Sequence, residues 1–290
     1  MQETLRLLLE PLLACLLLPG ILVYYGLHIV RRGVIFVDLA LAQVATLGTC
    51  LCLLLQHEAD ELHRYLWSLG FTLGGAVIFT FTRPTRKPRV PQEALIGIVY
   101  VVAAATGILL LSKSPHGKEE LQKTLVGDLL TINWHEIWTA GALYAVVGLI
   151  HFVFRRRFIA LSFDHDHSGV SRMSVRLWDF LFYALFGLVV TSFVHVGGVL
   201  LVFSYLIVPA VCAAYLADSF RVMLAIGWVT ATACGIAGIG VATQLDLPIG
   251  AAIVCVLGLA LLLCLVAGKL RGRPRAEPPD HNGPEAEAHQ

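Results

Sequence analysis

The sequence predicts an all-α, polytopic membrane bundle of eight or nine transmembrane helices. Three observations predict it. The 290 residues are 57% hydrophobic and only 14% charged, whereas a soluble domain carries about 25% charged residues. The mean hydropathy is +0.77. The apolar residues are gathered into segments of about 20, the length a helix needs to cross a hydrocarbon core. No alternating strand pattern interrupts them, and a chain in lipid must satisfy its own backbone, which leaves helices. The same composition excludes a disordered chain, a disulfide-stapled module and, at a net charge of +1, a nucleic-acid binder.

Nine segments follow in order: 11–30, 33–55, 65–82, 94–112, 137–154, 177–194, 196–217, 222–243 and 248–267. The first is not a cleavable signal, because it is as long as a full span and its charges, Arg31 and Arg32, follow it. The second holds Ala40, Ala42, Ala45 and Gly48; small residues let helices approach closely, so it belongs at the bundle centre. The stretch 177–217 is interrupted only by Ser192, His195 and Gly197-Gly198. It reads as two spans joined by a tight turn, with Pro209 a candidate break in the second. Eight full spans plus one short or re-entrant segment is the other count. Before the last span, Asp246 reads as an N-cap, with Pro248 in the first turn. Residues 271–290 mix Pro, Glu, Asp and Ala and cannot bury apolar area. They are expected to form a disordered cytoplasmic tail after a single transmembrane domain, 1–270.

Charge orients the bundle. Sixteen of the 21 Lys and Arg residues fall in the loops and tail on one side, including Arg31, Arg32, Arg83, Arg155, Arg156, Arg157 and Arg221. By the positive-inside rule the N-terminus lies outside and the C-terminus in the cytoplasm. The seven cysteines all lie in apolar runs without zinc-knuckle spacing and read as small hydrophobes.

Ionisable groups at membrane depth are costly, about 2.5–3.5 kcal/mol for Asp, and each asks for a reason. Asp179 follows Arg176 by three residues and reads as a local ion pair. His28 and His151, beside Arg31 and Arg155, read as interfacial anchors. Asp38 sits inside the second span with Gln43 beyond it. Five residues apart, they point about 140° away from each other on an ideal helix. Asp38 is either an interhelical hydrogen-bonding group or part of a pathway. His195 stands at the outer mouth between two spans. The tract Asp164-His165-Asp166-His167-Ser168-Gly169 could hold zinc or be a hydrated cytoplasmic loop. There is no Gly-x-x-x-x-Gly-Lys-Ser/Thr, no His-Glu-x-x-His and no Gly-x-Ser-x-Gly. The chain therefore carries no P-loop or hydrolase machinery of its own, and transport is the default role.

Four stretches in order resemble the permease subunit of metal-type ABC importers, the zinc, manganese and iron uptake family. They are Val30-Arg31-Arg32 leading into the helix 40–48; Leu125-Val126-Gly127-Asp128-Leu129-Leu130; Val196-Gly197-Gly198 running to Pro209-Ala210; and Asp246-x-Pro248-x-Gly250. The resemblance covers roughly residues 12–267. It implies a type II importer half: a homodimer in the bacterial cytoplasmic (inner) membrane with the ion path between its two chains. A separate ABC ATPase would dock on the cytoplasmic face, and an extracytoplasmic metal-binding protein would deliver the ion. The metal ion is then substrate, with no stably bound cofactor. The family places an Asp and a His four apart on the second helix; the matching positions here are Leu39 and Gln43, with the carboxylate at Asp38. Asp38, Gln43 and His195 are thus the candidate path residues. Asp164, His165, Asp166, His167 and Gly169 are the candidate ATPase-coupling loop, shorter and more charged than the family pattern. Rival readings are an ABC permease for a metal chelate or other cargo, a secondary metal carrier, and, with least support, a membrane-embedded enzyme.

Overall fold

The computed structural model describes residues 2–55, 60–83, 90–112, 124–127, 129–163 and 172–270. The expected tail, 271–290, lies outside them. Among the described residues the regular structure is helical, with α1 Gln2–Arg32, α2 Val37–Leu55, α3 Glu61–Thr82, α4 Gln92–Leu111, α5 Trp134–Val153, α6 Arg155–Phe163, α7 Arg172–Leu216, α8 Phe220–Leu245 and α9 Ile249–Leu270. A 3₁₀ turn, Leu129–Thr131, precedes α5. Nine stretches among the described residues are long and apolar enough to cross a membrane: one in each helix except α6, which has none, and α7, which has two.

Local chemistry sets the boundaries. α1 ends where Gly33 turns left-handed (φ 66). The Gly33 amide donates to Val30 O and the Val34 amide to Ile29 O, the paired bonds of a Schellman stop. Asp60 caps α3 by accepting from the His63 amide. Asn133 and Glu136 form a reciprocal capping box at the start of α5, a motif whose cap contributes about 1 kcal/mol.

α1, α2 and α7 form the centre. Their buried side chains include Leu22, Tyr25, Leu41, Phe182, Tyr183, Phe186 and Tyr205. The central position expected for α2 is borne out: 11 of its residues are buried, among them Ala40, Ala42, Ala45 and Gly48. Gly48 explains how α3 comes so near, since a Cβ there would stand 2.6 Å from Trp67 O. Thr72 of α3 and Thr191 of α7 share a buried hydroxyl contact at 3.0 Å.

The structure corrects several sequence expectations. The two spans expected within 177–217 are borne out, with the break at Gly198 (φ 73, ψ 162), but the candidate break at Pro209 is not: it sits inside continuous helix beyond. A helix tolerates proline where its neighbours re-satisfy the freed carbonyl. Asp246 is no N-cap: it closes α8 in the left-handed conformation, its amide donating to Ala242 O. Pro248 takes the cap position instead, its carbonyl accepting from Ala252. The arginines 155–157, expected in a loop, open the short helix α6.

Candidate functional site

The bundle has two chemically distinct ends, and the alternation of the spans assigns the residues to them. One end gathers the close of α1, the starts of α2 and α4, and α6. The other gathers the segment before α5, the break in α7 and the start of α9.

The first end is charged. Asp179, fully buried on α7, accepts from Arg32 of α1 at 3.0 Å and from Arg83 at the end of α3. Arg32 also donates to Ser162 Oγ at 2.8 Å and lies 3.8 Å over the Phe182 ring. Arg83 reaches Leu161 O as well. Ser162 and Leu161 belong to α6, so two arginines tie that helix to the core. The local pair expected between Asp179 and Arg176 does not occur; Arg176 lies over Phe81 instead. His28 and His151 are not interfacial anchors either. Both are buried, His28 bonded to Ser162 and His151 stacked on Phe158 of α6.

Asp38 lies at this end too. It occupies the first turn of α2 and does not lie inside the span, because the Schellman stop and the 34–36 turn delay the helix to Val37. Its side chain is 1% exposed, and among the described residues no side chain hydrogen-bonds to either carboxylate oxygen; only the Leu39 amide and its own, at the helix start, face it. Glu93, in the first turn of α4, is its charged neighbour. Glu93 Oε1 accepts from the Phe36 amide at 2.9 Å, whereas Oε2 is buried without a partner. Sequence reasoning missed Glu93, which reads as an ordinary first-turn acid; only the packing of α4 on α2 gives it significance. Gln43 is also buried, further along α2.

The second end is built from backbone. Gly127 and Gly198 both have positive φ, and a Cβ on Gly198 would stand 2.3 Å from the Gly127 amide nitrogen. A Cβ on Gly250, at the start of α9, would stand 2.8 Å from Val126 O. Three of the four sequence stretches singled out above therefore meet at one junction. His195 lies on α7 three residues before the break, at the opposite end of the bundle from Asp38. The three candidate path residues are thus strung along the bundle and do not form one cluster. The tract 164–169 lies outside the described residues and continues from the end of α6.

Among the described residues no group of three or more His, Cys, Asp or Glu side chains is placed to hold a metal ion. Among the described residues no disulfide joins the cysteines.

A family model described as the ABC 3 transport family matches residues 4–268. Related sequences include the zinc transport system membrane protein TroC of Treponema pallidum, 31% identical over 70% of each chain. The manganese transport system membrane protein MntC of Halalkalibacterium halodurans is 25% identical over 86% of this chain and 83% of its own. Among solved structures, PsaBC from Streptococcus pneumoniae in complex with Fab superposes with a TM-score of 0.74 at 20% identity, over 91% of this chain and 94% of the other.

Proposed function

The chain belongs to the ABC 3 transport family, and on that premise we propose that it is the membrane-spanning subunit of an ATP-driven importer of divalent metal ions, zinc or manganese. Two copies enclose the path. The charged end faces the cytoplasm, where a separate ATPase docks on the 164–169 tract, and a metal-binding protein delivers the ion at the glycine junction. The N-terminus lies outside, and residues 271–290 form a cytoplasmic tail after the transmembrane domain.

The observation that carries this reading is Asp38, a buried carboxylate without a side-chain partner among the described residues, on the central helix of a transport-family fold. An uncompensated carboxylate in lipid is retained for a reason, and a cation passing α2 supplies it. Gln43 offers an amide oxygen deeper on the same helix. His195 stands near the delivery end as a first contact.

A metal chelate is the second reading. The positions one turn on from Asp38, Leu41 and Ala42, carry no ligand atom, so α2 alone cannot strip a bare ion of its water. Uptake of radioactive manganese or zinc, free and chelated, separates the two. Cells lacking their own importers would be given this chain with its ATPase and binding protein. Free-ion uptake that falls several-fold in Asp38→Asn, at unchanged protein level, supports the proposal. Uptake of the chelate alone replaces it with the second reading.

A further inference from the structure

We infer that Asp38 and Glu93 together form a release station for a hard divalent cation at the charged end of the bundle. The inference rests on the permease reading above, and it adds a second carboxylate from another helix and a preference among ions.

The argument begins with unpaired oxygens. Among the described residues neither oxygen of Asp38, 1% exposed, meets a side-chain partner, and the buried Glu93 Oε2 lacks one as well. The two side chains are charged neighbours where the starts of α2 and α4 meet. Glu93 is held there by the Phe36 amide, which donates to its other oxygen two residues before Asp38. Three arginines of this end are already engaged. Arg32 and Arg83 pair with Asp179, and Arg31 lies over Phe163. Two adjacent acids repel each other and are costly to bury unpaired, so a cation from solution is the natural complement.

The donor set says which cation. Carboxylate oxygens suit manganese, magnesium or calcium better than zinc, which favours thiolate and imidazole. Two carboxylates leave most coordination positions to water. Such a site holds an ion weakly enough to release it, as a conduit must.

The test uses Mn²⁺ alone as probe, with the full assembly in nanodiscs and bound metal read by electron paramagnetic resonance. Wild type should bind Mn²⁺ in excess over Asp38→Asn, and Glu93→Gln should weaken that binding about tenfold, as the loss of one ligand charge does. Zn²⁺ should compete poorly. Unchanged Mn²⁺ binding in either variant overturns the inference. If Glu93→Gln fails to assemble, Asp38→Asn, which leaves the Phe36 cap intact, decides alone. An infrared band of a protonated carboxylic acid at pH 7, lost in Asp38→Asn and indifferent to Mn²⁺, makes a proton the complement and also overturns it. Arg86, Lys87 and Arg89 lie outside the described residues, and Arg89 is the one of them nearest Glu93 in sequence. Mn²⁺ bound only in Arg89→Gln, and not in wild type, places the arginine in the site and sinks the inference. Failure of the permease reading looks different: no metal uptake by wild type, whatever this pair binds. Normal metal uptake with a pair indifferent to Mn²⁺ removes the station and leaves the permease reading standing.

Discussion

Gly127 and Gly198 touch backbone to backbone: a Cβ on either would stand within 2.4 Å of a main-chain atom of the other's segment. The break in α7 is thus packed against the loop that enters the 3₁₀ turn. Gly198, at φ 73 and ψ 162, occupies a region open essentially to glycine alone, where another residue costs about 1–3 kcal/mol. Gly198→Ala adds a steric clash to that strain. It should lower the thermal unfolding midpoint and the yield of folded protein. Gly74→Ala or Gly240→Ala, whose Cβ would meet nothing within 4 Å, should be nearly silent. Equal melting of the three variants would remove the junction's structural role.

Asp179 holds two arginines from different helices and is itself fully buried. Removing one partner of a buried ion pair costs about 3–5 kcal/mol, because the remaining charge is left uncompensated. Asp179→Asn should therefore destabilise the bundle more than any single truncation of the exposed Arg155–Arg157 run. Adding Arg83→Met should recover part of the loss, since one stranded charge is then gone. Thermal unfolding in detergent reads both; a double variant less stable than Asp179→Asn alone contradicts the account.

The helices were legible in the sequence because lipid imposes one length and one pattern on every span. What proved illegible depended on neighbours. Asp179 and Arg176 are close in sequence, yet the actual partners of Asp179, Arg32 and Arg83, are 147 and 96 residues away. His28 and His151 looked interfacial because arginines follow them, and burial under α6 is a tertiary fact. Asp246 has the residue type of an N-cap, but a left-handed closing residue favours Asp as well. Asp38 lies nearer its helix start than an apolar window places it, because the Schellman stop at Gly33, five residues earlier, consumes chain that such a window counts as helix. The central place of α2 was readable from its alanines alone.

If a separate ATPase docks as proposed, α6 should transmit its motion. It leads directly into 164–169 and is held by Arg32, Arg83, His28 and His151 through Ser162, Leu161 and Phe158. Replacing residues 164–169 with a neutral linker should abolish transport-coupled ATP hydrolysis while insertion continues. Normal coupled activity in that variant would place the ATPase contact elsewhere.

Asp60 gives a pH signature outside the membrane. The His63 amide, and then the His63 ring, hold its carboxyl below the ordinary value. A carboxylate depressed in the folded state contributes stability above its unfolded pKa of about 3.9 and loses it as pH falls through the lower folded value. Amide exchange in the first turn of α3, corrected for intrinsic rate, should quicken below about pH 4. In Asp60→Asn, whose amide oxygen caps at any pH, it should not. A pH-independent wild type would show that the cap is not made in solution.

His195 precedes the Gly198 break by three residues, at the end of the bundle assigned to ion delivery. Acidic and histidine-bearing positions on that face, including Asp60, His63 and His135, would raise the local cation concentration. A first-contact residue in such a field acts on capture, not on maximal flux. His195→Ala should lower uptake at limiting metal and be partly rescued by raising the metal concentration. A purely structural histidine would instead lower uptake at every concentration, along with protein level. His195→Gln separates the two roles further, since it keeps a hydrogen-bonding side chain and loses the titrating ring. If Gln restores full uptake from about pH 6 to 8, imidazole chemistry is not required and His195 serves the turn.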